Sequence, residues 1–144
     1  MNLSQVLLLN FLLAAYLTGV IWTVQLAHYP GFAQVARDVF PAFHQQHSSR
    51  ISWVVLAPMV LELGLGVLLA WQGAELGLSR WWQLALVAAV WAATFFISVP
   101  FHNRLAQGYD YVAIDGLVRT NWLRTIVWTI RTGLLGWLLW GRIG

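Results

Sequence analysis

The chain has 144 residues and a formal net charge of +3, and 60% of its residues are hydrophobic while only 9% are charged. Soluble domains carry roughly 25% charged residues, so this composition indicates a membrane protein, and the length indicates one domain, residues 1–144. The chain has no cysteine, which excludes disulfides, thiolate ligands and a cysteine nucleophile. No basic run is long enough to indicate nucleic acid, so the expected partners are the lipid bilayer and a lipophilic small molecule.

The first two hydrophobic segments predict membrane helices, since a span needs about 20 apolar residues. Residues 3–27 contain no charge, and the proline and glycine of Tyr29-Pro30-Gly31 are expected to end the first helix. The second predicted helix covers residues 39–71, with Asp38 as its N-cap and Pro41 in its first turn.

Two further hydrophobic segments complete the predicted fold. The third helix, 80–99, is expected to end at Pro100, because proline does not continue a helix readily. A loop or short surface helix is predicted for 101–119, and the fourth helix for 121–140. These elements predict an all-α, polytopic membrane four-helix bundle.

Four spans bring two connections to the same end of the bundle, because the first helix ends where the second begins and the third ends where the fourth begins. The polar residues expected at that end are His28, His44, His47, Arg50, His102, Asn103, Arg104, Asn121 and Arg124. Arginines are more numerous there than at the opposite end. The positive-inside rule therefore predicts a bacterial-type inner-membrane protein whose polar end is cytoplasmic and whose termini are both periplasmic.

A weak internal repeat accompanies this arrangement. The positions that match are His28 with His102, His47 with Asn121, and Arg50 with Arg124. Each pair is 74 residues apart. The pattern predicts a parallel repeat of two two-helix units, related by an axis along the membrane normal, and chance coincidence is the alternative.

The four histidines admit several interpretations. His44 and His47 have helical ligand spacing, and His28 and His102 would complete a metal site for iron, copper or zinc. A haem held by His28 and His102 is a second alternative. The third is that the histidines hold no cofactor and either bond loop backbone or act as general bases, since imidazole titrates near neutrality.

Glu62 and Arg131 are the charges that lie well inside the predicted spans, at about the same depth below the polar end. A lone charge in a membrane costs at least about 2.5–3.5 kcal/mol, so we expect the two to pair across the bundle. The pair is either purely structural or places a carboxylate at the floor of a pocket.

Each predicted helix has one polar edge, and polar edges in lipid turn inward. On the fourth helix this edge comprises Asn121, Arg124, Thr125, Trp128, Arg131 and Thr132. Deep tryptophans either pack in the bundle or stack on a planar ligand. The residues predicted to bind substrate are Glu62, Trp91, Asn121, Trp128 and Arg131.

The runs Pro100-Phe-His-Asn-Arg-Leu and Asn121-Trp-Leu-Arg-Thr resemble the anthrone-oxygenase-like family of small four-span integral membrane proteins. The resemblance covers mainly residues 95–132, and the matching positions are Pro100, Asn103, Trp122 and Arg124. It implies oxidation of a flat aromatic or quinone-like substrate.

These observations together predict a membrane oxidoreductase or oxygenase that acts on a lipophilic substrate. The residues expected to be catalytic are His28, His47, His102, Asn103 and Arg124, with the histidines as bases or ligands. One alternative is a carrier for a small solute or protons along an axis through Glu62 and Arg131. Another is an accessory membrane subunit without chemistry of its own.

Overall fold

A computed structural model of the protein describes residues 1–143, and Gly144 lies outside the described residues. It has four long helices: α1 (Leu3–Gln34), α2 (Phe40–Gln72), α3 (Ser79–Leu105) and α4 (Tyr111–Ile143). Helices α1 and α3 each pack against both α2 and α4. The helices therefore form a ring in which α1 and α3 stand diagonally opposite. The predicted all-α fold and the count of four helices are confirmed.

The prediction that the first helix ends at Tyr29-Pro30-Gly31 is wrong, because α1 continues to Gln34. It is α-helical over Leu3–Thr23, π-helical over Val24–His28, α-helical over Tyr29–Gly31 and 3-10 helical over Phe32–Gln34. Proline lacks an N–H and its ring clashes with the carbonyl of the preceding turn. A π-helical turn just before the proline shifts the hydrogen-bond register, so the helix continues through it.

Helix α3 also continues through a proline, Pro100, after a π-helical turn. It is α-helical over Ser79–Ala93, π-helical over Thr94–Ser98 and α-helical again over Val99–Leu105. The prediction that Pro100 ends this helix is therefore wrong. The two π-helical turns are 70 residues apart, from 24 to 94, and this spacing differs from the 74 residues of the predicted repeat, which stays a prediction.

The predicted loop or short surface helix over 101–119 is also wrong, since α3 continues to Leu105 and α4 begins at Tyr111. Asp110 caps the helix by accepting a hydrogen bond from the backbone N–H of Ala113 at 3.0 Å, and it also pairs with Arg104. The Ala113 N–H, followed by the Arg104 guanidinium, holds the pKa of Asp110 below its ordinary value. These contacts leave only a short connection between α3 and α4.

Helix α2 begins without the predicted cap. Val39, rather than Asp38, occupies the N-cap position, and its side chain makes no capping hydrogen bond. Pro41 lies in the first turn as predicted, where its missing N–H costs nothing. The helix then runs through Pro58 to Gln72.

The core of the bundle is mainly apolar but also encloses a set of polar side chains, and the exterior is largely apolar. Buried polar side chains include Asn10, Gln25, Glu62, Asn121, Arg124 and Arg131, whereas large apolar ones such as Trp53 (84% exposed) face outward. Within residues 1–143, α1, α2 and α3 are long and apolar enough to cross a membrane. Helix α4 is not among them, yet its exposed residues include Ile126, Ile130, Leu134 and Trp137.

The contact between α3 and α4 at the polar end depends on Gly116. A Cβ at this position would lie 2.5 Å from two ring carbons of Phe101. We expect Gly116→Ala to lower the free energy of unfolding by about 1–3 kcal/mol, because the ring has to move within a packed contact. Thermal unfolding in detergent measures this.

Gly133→Ala is the matched control on the same helix, since a Cβ there meets nothing within 4 Å. Alanine is the better helix former, so this variant should be neutral or more stable by up to about 1 kcal/mol. Similar unfolding temperatures for the two variants would contradict the packing described for Phe101.

Candidate functional site

The four histidines lie together at one end of the bundle, as predicted. Nε2 of His28 lies 2.6 Å from Nδ1 of His47, and Nε2 of His44 lies 3.1 Å from Nδ1 of His102. The rings of His47 and His102 stack with their centroids 6.1 Å apart, which joins the two pairs into one cluster. Helices α1, α2 and α3 each contribute to it, so the cluster depends on the bundle being assembled.

Tyr29 connects this cluster to Arg124. Its hydroxyl oxygen accepts a hydrogen bond from Nη2 of Arg124 at 3.3 Å and lies 3.1 Å from Nε2 of His102. Because the arginine can only donate, the tyrosine hydrogen remains available for Nε2 of His102. When it is donated there, the ring hydrogen of a neutral His102 lies on Nδ1 and is donated to His44.

Arg124 is held by a chain of amides. It donates to Oδ1 of Asn121, Nδ2 of Asn121 donates to Oε1 of Gln25 at 2.8 Å, and Nε2 of Gln25 donates to the Val118 carbonyl at 3.1 Å. Arg124 is only 7% exposed, and its Nε has no hydrogen-bond partner. The ion pairs found among residues 1–143 do not include it. Arg124 is therefore a buried cation that only neutral groups hold in place.

A cavity of about 250 Å³, which we name the main cavity, lies beside Arg124. Most of its wall is apolar and includes Leu17, Ile21, Val55, Met59 and the indole of Trp128. Its polar wall comprises Tyr29, His102, Asn103 and Arg124, together with the hydroxyls of Ser48, Ser52, Thr94 and Ser98. Such a cavity suits a small, mostly apolar molecule that carries one polar group.

A second cavity of about 420 Å³, which we name the side cavity, lies between α1 and α2. Its polar lining residues are Thr23, His28, Gln46, His47 and Arg50. Val20, Val24 and Ile51 border both cavities, so only a thin apolar wall separates them. The predicted catalytic residues are thus divided, with His102, Asn103 and Arg124 at the main cavity and His28 and His47 at the side cavity.

The predicted pair of Glu62 and Arg131 is present. Nη1 of Arg131 lies 2.7 Å from Oε1 of Glu62, and both residues are 0% exposed. Nη2 of Arg131 donates to Oδ1 of Asn10 at 2.8 Å, and Nε1 of Trp128 donates to Oε2 of Glu62 at 3.1 Å. Neither charge lines the main or the side cavity, but the pair fixes Trp128, which does line the main cavity.

The remaining residues predicted to bind substrate occupy different surroundings. Asn121 is fully buried and contacts Arg124, whereas Trp91 is half-buried and packs on Phe95. Trp91 lines neither the main nor the side cavity. Sequence reasoning did not single out Tyr29 as a site residue. Its position four residues after Gln25, on the same helical face, was the available signal.

The histidine cluster is hydrogen-bonded within itself rather than arranged around a metal ion. Four of the eight imidazole nitrogens of the cluster are paired with one another. Within residues 1–143, no group of three or more histidine or acidic side chains is arranged to hold a metal ion. Binding of a metal or haem stays a prediction, and no chemical step below depends on it.

No protein-family model matches the chain, and neither the curated proteins nor the solved structures contain a significant match. The resemblance to the anthrone-oxygenase-like family therefore stays a prediction.

Proposed function

We propose that the protein is an integral membrane oxidoreductase or oxygenase that acts on a lipophilic, aromatic or quinone-like substrate in the main cavity. The observation that carries this proposal is the environment of Arg124. A buried cation with neutral partners is costly in a membrane, by at least about 2.5–3.5 kcal/mol. A substrate that develops negative charge on an oxygen atom would supply the missing counter-charge.

The apolar exterior supports placement of all four helices in a bilayer. Exposed tryptophan, phenylalanine, leucine and isoleucine side chains surround the bundle, while two arginines and four amides are buried inside it: Arg124, Arg131, Asn10, Gln25, Gln83 and Asn121. Polar groups in lipid turn toward the protein interior, which is the arrangement of Arg124 and Arg131 on α4. The proposed bundle has its histidine end in the cytoplasm.

The geometry supports a separate role for Tyr29, His102, Asn103 and Arg124 in the polar wall. An aromatic substrate would lie against the indole of Trp128, with its oxygen at Arg124 and Asn103. His102, through the Tyr29 hydroxyl, is placed to accept the proton that the substrate loses. The electron-rich anion would then react with dioxygen at a ring carbon, which is a methylene group in the keto tautomer of the substrate, so that this methylene group and O2 become a carbonyl group and water.

The carrier alternative receives less support. A carrier along the predicted axis needs Glu62 and Arg131 to reach a solute, but both are fully buried and hydrogen-bonded to each other. Neither residue lines the main or the side cavity. An accessory subunit without chemistry would not explain why Arg124 is retained without a counter-charge.

The proposal is tested with the full chain in lipid nanodiscs, supplied with three-ring and single-ring hydroxyaromatics and their methyl ethers. We expect oxygen uptake with the three-ring phenols, and a product that has gained one oxygen atom and lost two hydrogen atoms. Absorbance of the same sample tests for a haem, and metal analysis tests for iron, copper or zinc. Binding of the substrate without oxygen uptake, in samples with and without added metal, would overturn the proposed chemistry.

The proposed orientation gives a separate prediction. A reporter that is active only in the periplasm, fused after Gly144, should be active because both termini are expected to be periplasmic. A cytoplasm-specific reporter at the same position serves as the control. Activity of that second reporter alone would reverse the orientation, although the histidine cluster would remain at one end.

A further inference from the structure

The side cavity has the properties of a ligand site in its own right. All of its lining residues come from α1 and α2, and Thr23, Gln46, Arg50 and Val54 are exposed. The cavity therefore opens sideways between two helices, toward the surface that faces lipid in the proposed bundle. A molecule dissolved in the bilayer could enter it without passing through the main cavity.

One polar group in this cavity has no partner within the protein. His47 is only 8% exposed, and its Nε2 is buried without a hydrogen-bond partner. Its Nδ1 is occupied by His28 at 2.6 Å. When His28 donates to that Nδ1, the Nε2 of a neutral His47 carries the ring hydrogen and is a donor. A buried donor of this kind destabilises the protein if it stays unpaired.

The side cavity also has a positively charged residue, Arg50, at its edge. Arg50 is one helical turn after His47, lines the same cavity and is exposed at its edge. The ion pairs found among residues 1–143 do not include Arg50. An oxyanion in this cavity would receive from Arg50 a charge-assisted hydrogen bond, the stronger class of hydrogen bond, and a small rotation of the His47 ring would bring its buried Nε2 to the same oxyanion.

We propose that the side cavity binds a membrane-borne amphiphile with an anionic headgroup, a carboxylate or a phosphate. The headgroup lies between Arg50 and His47, and the first part of the chain lies against Val20, Val24 and Ile51. The same three residues border the main cavity, so the occupant of one cavity contacts the wall of the other. This site is independent of the reaction proposed above.

Electron paramagnetic resonance of spin-labelled stearic acid tests the proposal with the full chain in phosphatidylcholine nanodiscs. We expect an immobilised component for the acid, and binding of its methyl ester that is about tenfold weaker. A second sample contains phosphatidylglycerol and no fatty acid, and native mass spectrometry measures the retained lipid. Binding in the first sample identifies a free fatty acid as the occupant, and retention in the second identifies a phospholipid headgroup.

Two variants locate the site. Arg50→Gln removes the cation, and Val54→Trp fills the cavity from its exposed edge without altering Arg50 or His47. Both should weaken binding of the acid about tenfold. Val60→Trp, at an exposed position of α2 outside the cavity, should leave binding unchanged. Equal binding of acid and ester, binding that survives Val54→Trp, or no binding in either sample would overturn the proposal.

Discussion

Arg124→Gln is expected to lower kcat/KM for the oxidised substrate by about 10²–10³-fold, the usual effect of removing one donor to a developing oxyanion. Arg124 is the only charged side chain bordering the main cavity within residues 1–143, so no neighbouring cation can replace it. The steady-state rate of oxygen uptake measures this loss. Arg119→Gln is the matched control, because Arg119 lies on the same helix, is exposed and pairs with Asp115 at 2.8 Å.

The stability of the same variant distinguishes a functional from a structural arginine. A residue that binds substrate charge is destabilising while the site is empty, so Arg124→Gln should unfold at the same or a higher temperature than the natural chain. Thermal unfolding without substrate checks this. A strongly destabilised variant would instead assign Arg124 to the framework, alongside Asn121 and Gln25.

Glu62→Gln is expected to lower the free energy of unfolding by roughly 3–5 kcal/mol, because it leaves Arg131 buried and uncompensated. Arg131→Met should cost less, since a glutamic acid can persist in its neutral form and still accept the hydrogen bond from Trp128. The two variants therefore differ although each removes one partner of the same pair. Unfolding of both in detergent measures the difference.

An exposed pair supplies the control for this asymmetry. Glu75 and Arg142 lie 2.9 Å apart, and the Glu75 side chain is 61% exposed. Glu75→Gln should change stability by no more than about 1 kcal/mol, because water compensates for the lost charge. Equal and small losses for Glu62→Gln and Arg131→Met would show that neither residue depends on the other.

Features that follow from spacing alone were predictable from the sequence. The number of hydrophobic segments determines which connections share an end, and that was enough to bring His28, His44, His47 and His102 together. The equal depth of Glu62 and Arg131 follows from the constant rise of a helix. Opposite charges at the same depth of one bundle can pair, and Glu62 and Arg131 do so at 2.7 Å.

Features that depend on local hydrogen-bond register were not predictable. Pro30 and Pro100 looked like helix ends, but a π-helical turn before each one lets the chain continue. Because the first helix was predicted to end before Tyr29, this residue was assigned to a loop. Its place on a helical face beside Gln25 therefore went unnoticed. Asn10 was missed for another reason, since a lone asparagine in an apolar helix does not indicate its partner, here Arg131.

The ionisation of a bound phenol tests the central claim most directly, namely that Arg124 provides the counter-charge for an anionic oxygen in the main cavity. The absorbance of 2-naphthol changes when it ionises, so its titration can be followed while it is bound to the protein in nanodiscs. Naphthol bound to the natural chain should ionise at a clearly lower pH than naphthol bound to Arg124→Gln, since a nearby cation favours the anion. Ionisation at the same pH in both proteins would contradict the role assigned to Arg124.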